Sequence, residues 1–358
     1  MVTGVGKCSD AIDANGLPLP PSEADPLTIK FLGAILDLEK PDLVILAGDQ
    51  LHHDIQDSQT ALFKVVAPLI ERRIPYATVF GNHDSEGEYA MSREDQMTLL
   101  RSLPFNLSQS GPEEVNGVGN FYLRILSDEQ GVAFGGAKEP LACLFFVDSH
   151  GQIPSKSQNP DYDAIKQTQI DWFLRTSQSL RRIDPGQTLR KFDRGKSDES
   201  FGSTPISLVF MHIPLPEYAD ASLFTFGGSR REPTEGPSLN SHFYDALVHE
   251  RVAAVGCGHD HVNDFCGLLQ RPTGTQLGPW LCYGGGSGFG GYCSYGEHRY
   301  YRRTRVWKLD TKTGGIKTWK RLEYHPERVD ELVLMEAGAI VAPQGLIDAY
   351  SDSNPCQC

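Results

Sequence analysis

Residues 40–50 read KPDLVILAGDQ. Leu43 to Ala47 is an unbroken apolar run containing β-branched residues, the pattern of a strand buried on both faces. It stops at Gly48 and delivers a carboxylate, Asp49, to the end of that strand. Just upstream, TIKFLGAILDLE (28–39) places apolar residues at helical spacing and ends before Pro41. Downstream, Leu62, Val65, Val66, Leu69 and Ile70 fall on one helical face. Pro75 closes that helix, and Tyr76 to Phe80 forms the next apolar run, ending on GNHD (81–84).

The same unit recurs along the chain. Cys143 to Val147 ends at Asp148, Ile170, Phe173 and Leu174 suit a helix, and Ile206 to Phe210 runs into MHIP (211–214). Ser241 to Glu250 reads as a helix with Ser241 as its N-cap. Val252 to Val255 then leads into GCGHDH (256–261), and Trp280 to Tyr283 and Thr304 to Leu309 read as further strands. Strands alternating with helices indicate an α/β domain. Asp49, Asn82-His83-Asp84, His212 and His259-Asp260-His261 each follow an apolar strand. The carboxyl ends of strands are where α/β sheets bind ligands, so clusters far apart in sequence can meet at one site. Residues 111–119, 192–205 and 219–240 are Gly- or polar-rich and read as loops, the last of them lid-like.

The bulk numbers narrow the function. The chain has 358 residues, 39% of them hydrophobic, and a formal net charge of -13. Such an acidic surface repels a phosphate backbone, which argues against extended nucleic-acid binding. No run of eighteen apolar residues is present, so no membrane-spanning helix is expected. The start, MVTGVGKCSDAIDANG, lacks the apolar stretch of a secretory leader, and the chain as written reads as cytoplasmic. Its eight cysteines are too few for a disulfide scaffold and lack zinc-ribbon spacing. Cys143 and Cys282 lie in apolar runs and read as buried thiols, with a bridge among Cys257, Cys266, Cys282 and Cys293 left open.

Imidazole, carboxylate and carboxamide together suit borderline divalent metals such as zinc, manganese or iron. Asp49 has two oxygens and can bridge two ions, Asn82 offers a neutral oxygen, and His212, His259 and His261 offer nitrogens. Two ions held roughly 3.5–4 Å apart can clamp a phosphate for in-line attack. His83 then sits where it could protonate a leaving oxygen. Taken singly, each residue has a plainer reading: Asp49 as a helix cap, Asn-His-Asp as a turn, His212 as a strand-end histidine. Their joint occurrence at successive strand ends carries the argument.

GDQ, GNHD, MHIP and GHDH, in that order, resemble the signature of calcineurin-like metallophosphoesterases. KPDLVILAGDQ, MHIPLPEY, GHDHVNDF and GGGSGFGGY are similar to the purple-acid-phosphatase-like branch of plants and fungi. The resemblance covers roughly residues 27–310. It implies a four-layer α/β/β/α sandwich of two mixed sheets, with residues 1–26 as an irregular N-terminal segment, 27–325 as the phosphoesterase domain and 326–358 as a tail. It further implies a phosphoric ester hydrolase acting on a phosphorylated substrate through a dinuclear centre of iron, manganese or zinc and a metal-bound hydroxide. Asp49 would bridge the ions, Asn82, His212 and His259 would complete one site, and His261 would serve the other. His83 would be the catalytic histidine, oriented by Asp84.

One element of the family pattern does not precede Asp49. The family's first strand ends in Asp-x-His, and here TGVGKCSD, which resembles the text following that motif, begins at Thr3. A truncated N-terminus is the expectation, and an upstream segment could carry both the motif and a secretory leader. The alternatives are a catalytically impaired one-metal protein or a phosphodiesterase. His52, three residues after Asp49, is a substitute metal ligand on this reading. His150, Tyr218, Arg230 and Arg231 are candidates for the substrate side, the arginines as bidentate phosphate ligands.

Overall fold

The computed structural model describes residues 11–126, 140–157, 160–182, 205–269 and 277–343. The expected loop at 192–205 falls almost wholly outside these residues, as do Cys8, Cys356 and Cys358. The elements run α1 (Ala24–Glu39), β1 (Val44–Ala47), α2 (Ser58–Glu71), β2 (Tyr76–Val79), α3 (Arg93–Ser102), β3 (Phe121–Leu126), β4 (Pro140–Phe146), α4 (Gln167–Arg182) and β5 (Ile206–Phe210). They continue with β6 (Leu223–Phe226), α5 (Phe243–His249), β7 (Ala254–Cys257), β8 (Cys266–Leu269), β9 (Trp280–Tyr283) and the hairpin β10 (Ser294–Tyr295) and β11 (His298–Arg299). Four strands close the described chain: β12 (Arg303–Asp310), β13 (Gly315–Leu322), β14 (His325–Glu336) and β15 (Ala339–Ile340).

Four layers result, as expected. A seven-stranded mixed sheet in the order β3-β4-β5-β7-β9-β8-β6 lies at the centre. Alternate residues leave its two faces, because side chains along a strand point to opposite sides. Cys143, Phe145, Val209, Val255, Leu281 and Tyr283 face outward onto α4 and α5. Leu144, Phe146, Leu208, Phe210 and Trp280 face inward. There they meet Ala77 and Val79 of the parallel β1–β2 pair and Ile316 and Leu334 of the antiparallel sheet β12-β13-β14-β15. The outer layer, α1 to α3, packs Leu36, Leu62, Val66, Met97 and Leu100 onto β1 and β2.

Several details differ from the sequence reading. β1 is half-buried along its whole length, whereas β2 is fully buried. Among the described residues β1 pairs only with β2, and β12–β15 forms a separate ladder, so the second layer is not one continuous sheet. β14 crosses the expected boundary at residue 325 and pairs with β13 to Met335. Ser241 does not cap α5: the N-cap is His242, with left-handed backbone and no side-chain cap. α3 went unread because its apolar face is short, although its cap is conventional, the Ser92 side chain accepting from the Asp95 N–H. The expected lid at 219–240 contains β6, which pairs antiparallel with β8 at the sheet edge.

Cys282 is not a thiol. It forms a disulfide with Cys266, its antiparallel partner on β8, while Cys143, Cys257 and Cys293 are free and buried. The bridge spans a sequence separation of 16 residues. Cross-links of that length restrict the unfolded chain by about 3 kcal/mol. The double substitution Cys266→Ala/Cys282→Ala is expected to lower stability by that order, read as a lower urea midpoint with a steeper slope from the more expanded unfolded chain.

Candidate metal centre

β1, β2, β5 and β7 all point their carboxyl ends at one edge of the sandwich. Each apolar strand carries the polypeptide there and releases it into a polar loop, which is why dispersed motifs meet. Gly48 has φ of +89°, and a Cβ on it would lie 2.3 Å from His212 Nδ1. A Cβ on Gly81 would lie 2.1 Å from an Asp49 carboxylate oxygen. Both glycines are therefore required by the close packing of the two loops. Asp49 and His259 themselves have positive φ, at 50° and 71°, a strained backbone that the surrounding strands hold in place.

Asp49, His212 and His259 present one carboxylate oxygen and two ring nitrogens within 4.8 Å of one another. Asp49 Oδ2 lies 3.2 Å from His212 Nε2, and His212 Nε2 lies 3.3 Å from His259 Nδ1. The other Asp49 oxygen accepts from the His83 N–H at 2.9 Å. His212 Nδ1 meets the Ala47 carbonyl at 2.7 Å. A carbonyl can only accept, so Nδ1 carries a proton and Nε2 is the nitrogen turned toward Asp49. His261 follows the same rule: its Nδ1 meets the Tyr292 carbonyl at 2.9 Å and its ring stacks on Tyr292 at 4.0 Å. His261 stands outside the three-residue group, with Nε2 left as the acceptor.

Two buried polar atoms here have no hydrogen-bond partner among the described residues: Asn82 Oδ1 and His259 Nε2. An orphaned buried acceptor costs roughly 1–3 kcal/mol. The donor set of carboxylate, carboxamide oxygen and imidazole nitrogens fits a borderline divalent ion, and the orphaned Asn82 oxygen is the atom an ion would satisfy. The electrostatics agree. Burial alone would raise the Asp49 carboxyl, but His212 beside it, with His83 and His259, holds it below its ordinary value. Burial and the neighbouring His212 push His259 well below the usual imidazole range, and burial takes His261 to about 4. Both rings are thus neutral, the form that ligates metal.

His83 and Asp84 do not form the pair expected from the sequence. The Asp84 carboxylate accepts from the backbone N–H groups of Asp49, Leu51 and Gly81 at 2.9, 2.9 and 2.7 Å. It stitches the two ligand-bearing loops together rather than orienting His83. The His83 ring instead donates through Nδ1 to Glu86. His53, His83 and Glu86 form a second cluster of potential ligands, and His52, His53 and Asp54 a third, both more exposed than the first. His52 thus lies outside the group formed by Asp49, His212 and His259.

A cavity of about 540 Å³ opens beside Asn82, lined also by Glu86, Arg93, Asp148 and His150. His150 lies on this wall, with Nε2 bonded to the Gln169 side chain at 2.7 Å. Arg93 and Tyr162 were not anticipated. Arg93 bonds Asp148 at 2.5 Å and the Gly81 and His150 carbonyls at 2.8 Å each, tying the β2 loop to the β4 loop. The Tyr162 ring packs edge-on against His259 at 4.7 Å. The [ST]-x-x-[DE] spacing of Ser92 and Asp95 was the available signal for α3, which carries Arg93. Nothing in residues 160–163 marks Tyr162.

The remaining substrate-side expectations are corrected. Tyr218 is fully buried, with its hydroxyl donating to the Val255 and Cys282 carbonyls. Arg230 stacks over Phe265 and bonds the Tyr218 carbonyl. Arg231 pairs with Asp264 at 2.6 Å. Ser229, Arg231 and Glu232 are further tied through their backbone to Asp264 and Asn263, so this segment is anchored rather than lid-like.

A family model described as calcineurin-like phosphoesterase matches residues 24–263. Phosphatase DCR2 of Saccharomyces cerevisiae is 36% identical over 329 residues, covering 88% of this chain and 51% of that protein. Probable inactive purple acid phosphatase 29 of Arabidopsis thaliana is 36% identical over 330 residues, covering 87% and 78%. Probable inactive purple acid phosphatase 14, also of Arabidopsis thaliana, is 32% identical over 335 residues, covering 89% and 78%. The chain spans about half the length of the yeast protein it matches.

Proposed function

The chain belongs to the calcineurin-like phosphoesterase family, and from that premise we propose that it is a metal-dependent phosphomonoesterase. The carrying observation is the convergence of Asp49, His212 and His259 on one point, together with the buried Asn82 oxygen that has no hydrogen-bond partner among the described residues. These four residues would hold one ion. A second would share Asp49 and draw on His261 Nε2, whose ring is fixed by the Tyr292 carbonyl. When bound, zinc, manganese or iron at these positions would supply Lewis acidity and lower the pKa of a water.

The chain's own residues supply the rest. The cavity beside Asn82 admits the ester, with His150 and Arg93 on its wall. His83, held by Glu86, donates the proton to the leaving oxygen. Its substitution His83→Ala is expected to lower kcat about 10²-fold, at the lower end for a general acid, with metal content unchanged. A steady-state assay on an aryl phosphate, paired with metal analysis, checks both halves.

The direct test of the reading is hydrolysis of p-nitrophenyl phosphate by the full chain after chelation and after readdition of manganese or zinc. Activity that disappears and returns supports it. A second reading, a catalytically impaired one-metal protein, is favoured by the position of His261 outside the group and by relatives whose names include "probable inactive". One ion per chain with no turnover would select it.

A further inference from the structure

A second cavity of about 540 Å³ is lined by none of the proposed metal ligands. Its wall carries Arg231, Arg299, Arg303 and Lys320 against only two carboxylates, Asp264 and Asp330. Arg305 stands behind, its guanidinium bonded to the Asp264 carbonyl at 2.6 Å. The lining alone therefore has an excess of two positive charges, in a chain whose net charge is -13. Three of these cations share one partner: Asp264 takes Arg231 at 2.6 Å, Arg303 at 2.8 Å and Lys320 at 2.9 Å. Lys320 also reaches Asp330 at 2.6 Å and is 1% exposed. Asp264 and Asp330 together carry two negative charges against the four cations of the wall, and concentrated like charge in a partly desolvated cavity favours an anion.

The geometry is set in advance. The Tyr300 ring packs against the Arg231 and Arg303 guanidinium groups, with carbon atoms 5.1 and 5.6 Å from its centroid. Guanidinium groups fixed in this way hold their charge at the cavity wall, where the oxygens of a phosphoryl group can meet it. We propose that this cavity is a binding site for a small phosphate dianion, separate from the catalytic cleft. Its excess of two charges matches one phosphoryl group, and Tyr300 and Tyr301 on the same wall give an organic substituent an aromatic surface. The site is joined to the metal loop, since the Arg231 N–H donates to Asn263 at 2.8 Å and its guanidinium to the Val262 carbonyl at 3.0 Å. Those residues directly follow the His259–His261 segment.

The test titrates inorganic phosphate and phenyl phosphate into the full chain carrying Asp49→Asn and treated with chelator, which removes the catalytic metals as competitors. Calorimetry is expected to show saturable binding that weakens with added sodium chloride. Arg299 lies on the exposed β11 strand, so Arg299→Glu leaves the fold intact and is expected to weaken binding at least about tenfold through loss and reversal of one charge-assisted contact. Lys320→Met, which removes a buried cation, should weaken it further if the variant folds. Absence of saturable binding, or affinity unchanged in Arg299→Glu, overturns the proposal. Tighter binding of phenyl phosphate than of inorganic phosphate identifies an organic phosphate as the ligand class, and equal affinity identifies the free ion.

Discussion

Asp49→Asn is expected to cost at least about 10³-fold in kcat and to strip the chain of tightly bound metal. Asp49 is the residue on which every feature of the site depends. One carboxylate oxygen faces His212 at 3.2 Å, and the other accepts the His83 N–H at 2.9 Å. The carboxamide keeps the shape and loses the charge that draws a cation into a buried position. Losing several kcal/mol of charge stabilisation in the transition state corresponds to that fold-change. The variant should stay folded, because the Asp49 N–H still bonds Asp84 and the loop remains tied to β2. Circular dichroism, metal content and steady-state hydrolysis together separate loss of metal from loss of fold. Wild-type turnover and full metal content in the variant would exclude Asp49 from the centre.

The largest effect on stability is expected at Asp264. Its carboxylate meets Arg231, Arg303 and Lys320, and the latter two are 3% and 1% exposed. Asp264→Ala strands the buried Arg303 and leaves Lys320 with Asp330 alone, and breaking a buried pair from one side costs about 3–5 kcal/mol. The charge also makes stability pH-dependent. Burial on its own would raise the Asp264 carboxyl, but Lys320, Arg303 and Arg231 hold it down at about 2, against an ordinary value of 3.8. A carboxylate depressed in the folded state contributes its full stabilisation above its unfolded pKa. That contribution is lost as pH falls from about 4 through about 2. Urea midpoints of wild type and variant should therefore differ most above pH 4 and converge toward pH 2. A constant difference across that range would assign the effect to packing instead of charge.

The strands that carry the ligands were legible in the sequence because each is an apolar run that ends at a polar motif. Gly48-Asp49, Gly81-Asn82 and Gly258-His259 mark the strand ends, and the structure adds the close approach that forbids a side chain at each glycine. The sequence was silent where function depends on contacts made across the fold. Asp84 was read as the partner of His83 because it is adjacent, yet its carboxylate serves three backbone N–H groups and Glu86 holds the ring. Arg231 was read as a phosphate ligand of the catalytic cleft, whereas its Asp264 partner and Tyr300 place it on another cavity. Tyr218 looked like a pocket residue from its position after MHIPLPE but is closed into the core under Tyr283. β1 was read as fully buried from its composition alone, and composition cannot report that one flank has no partner strand among the described residues.

The proposed centre holds two ions that share Asp49, and metal stoichiometry of the purified full chain tests this most directly. Inductively coupled plasma mass spectrometry is expected to find two ions of zinc, manganese or iron per chain in preparations that hydrolyse p-nitrophenyl phosphate. His259→Ala should reduce that number. One ion per chain in fully active protein would contradict the two-metal account, and activity with no bound ion would contradict the metal centre itself.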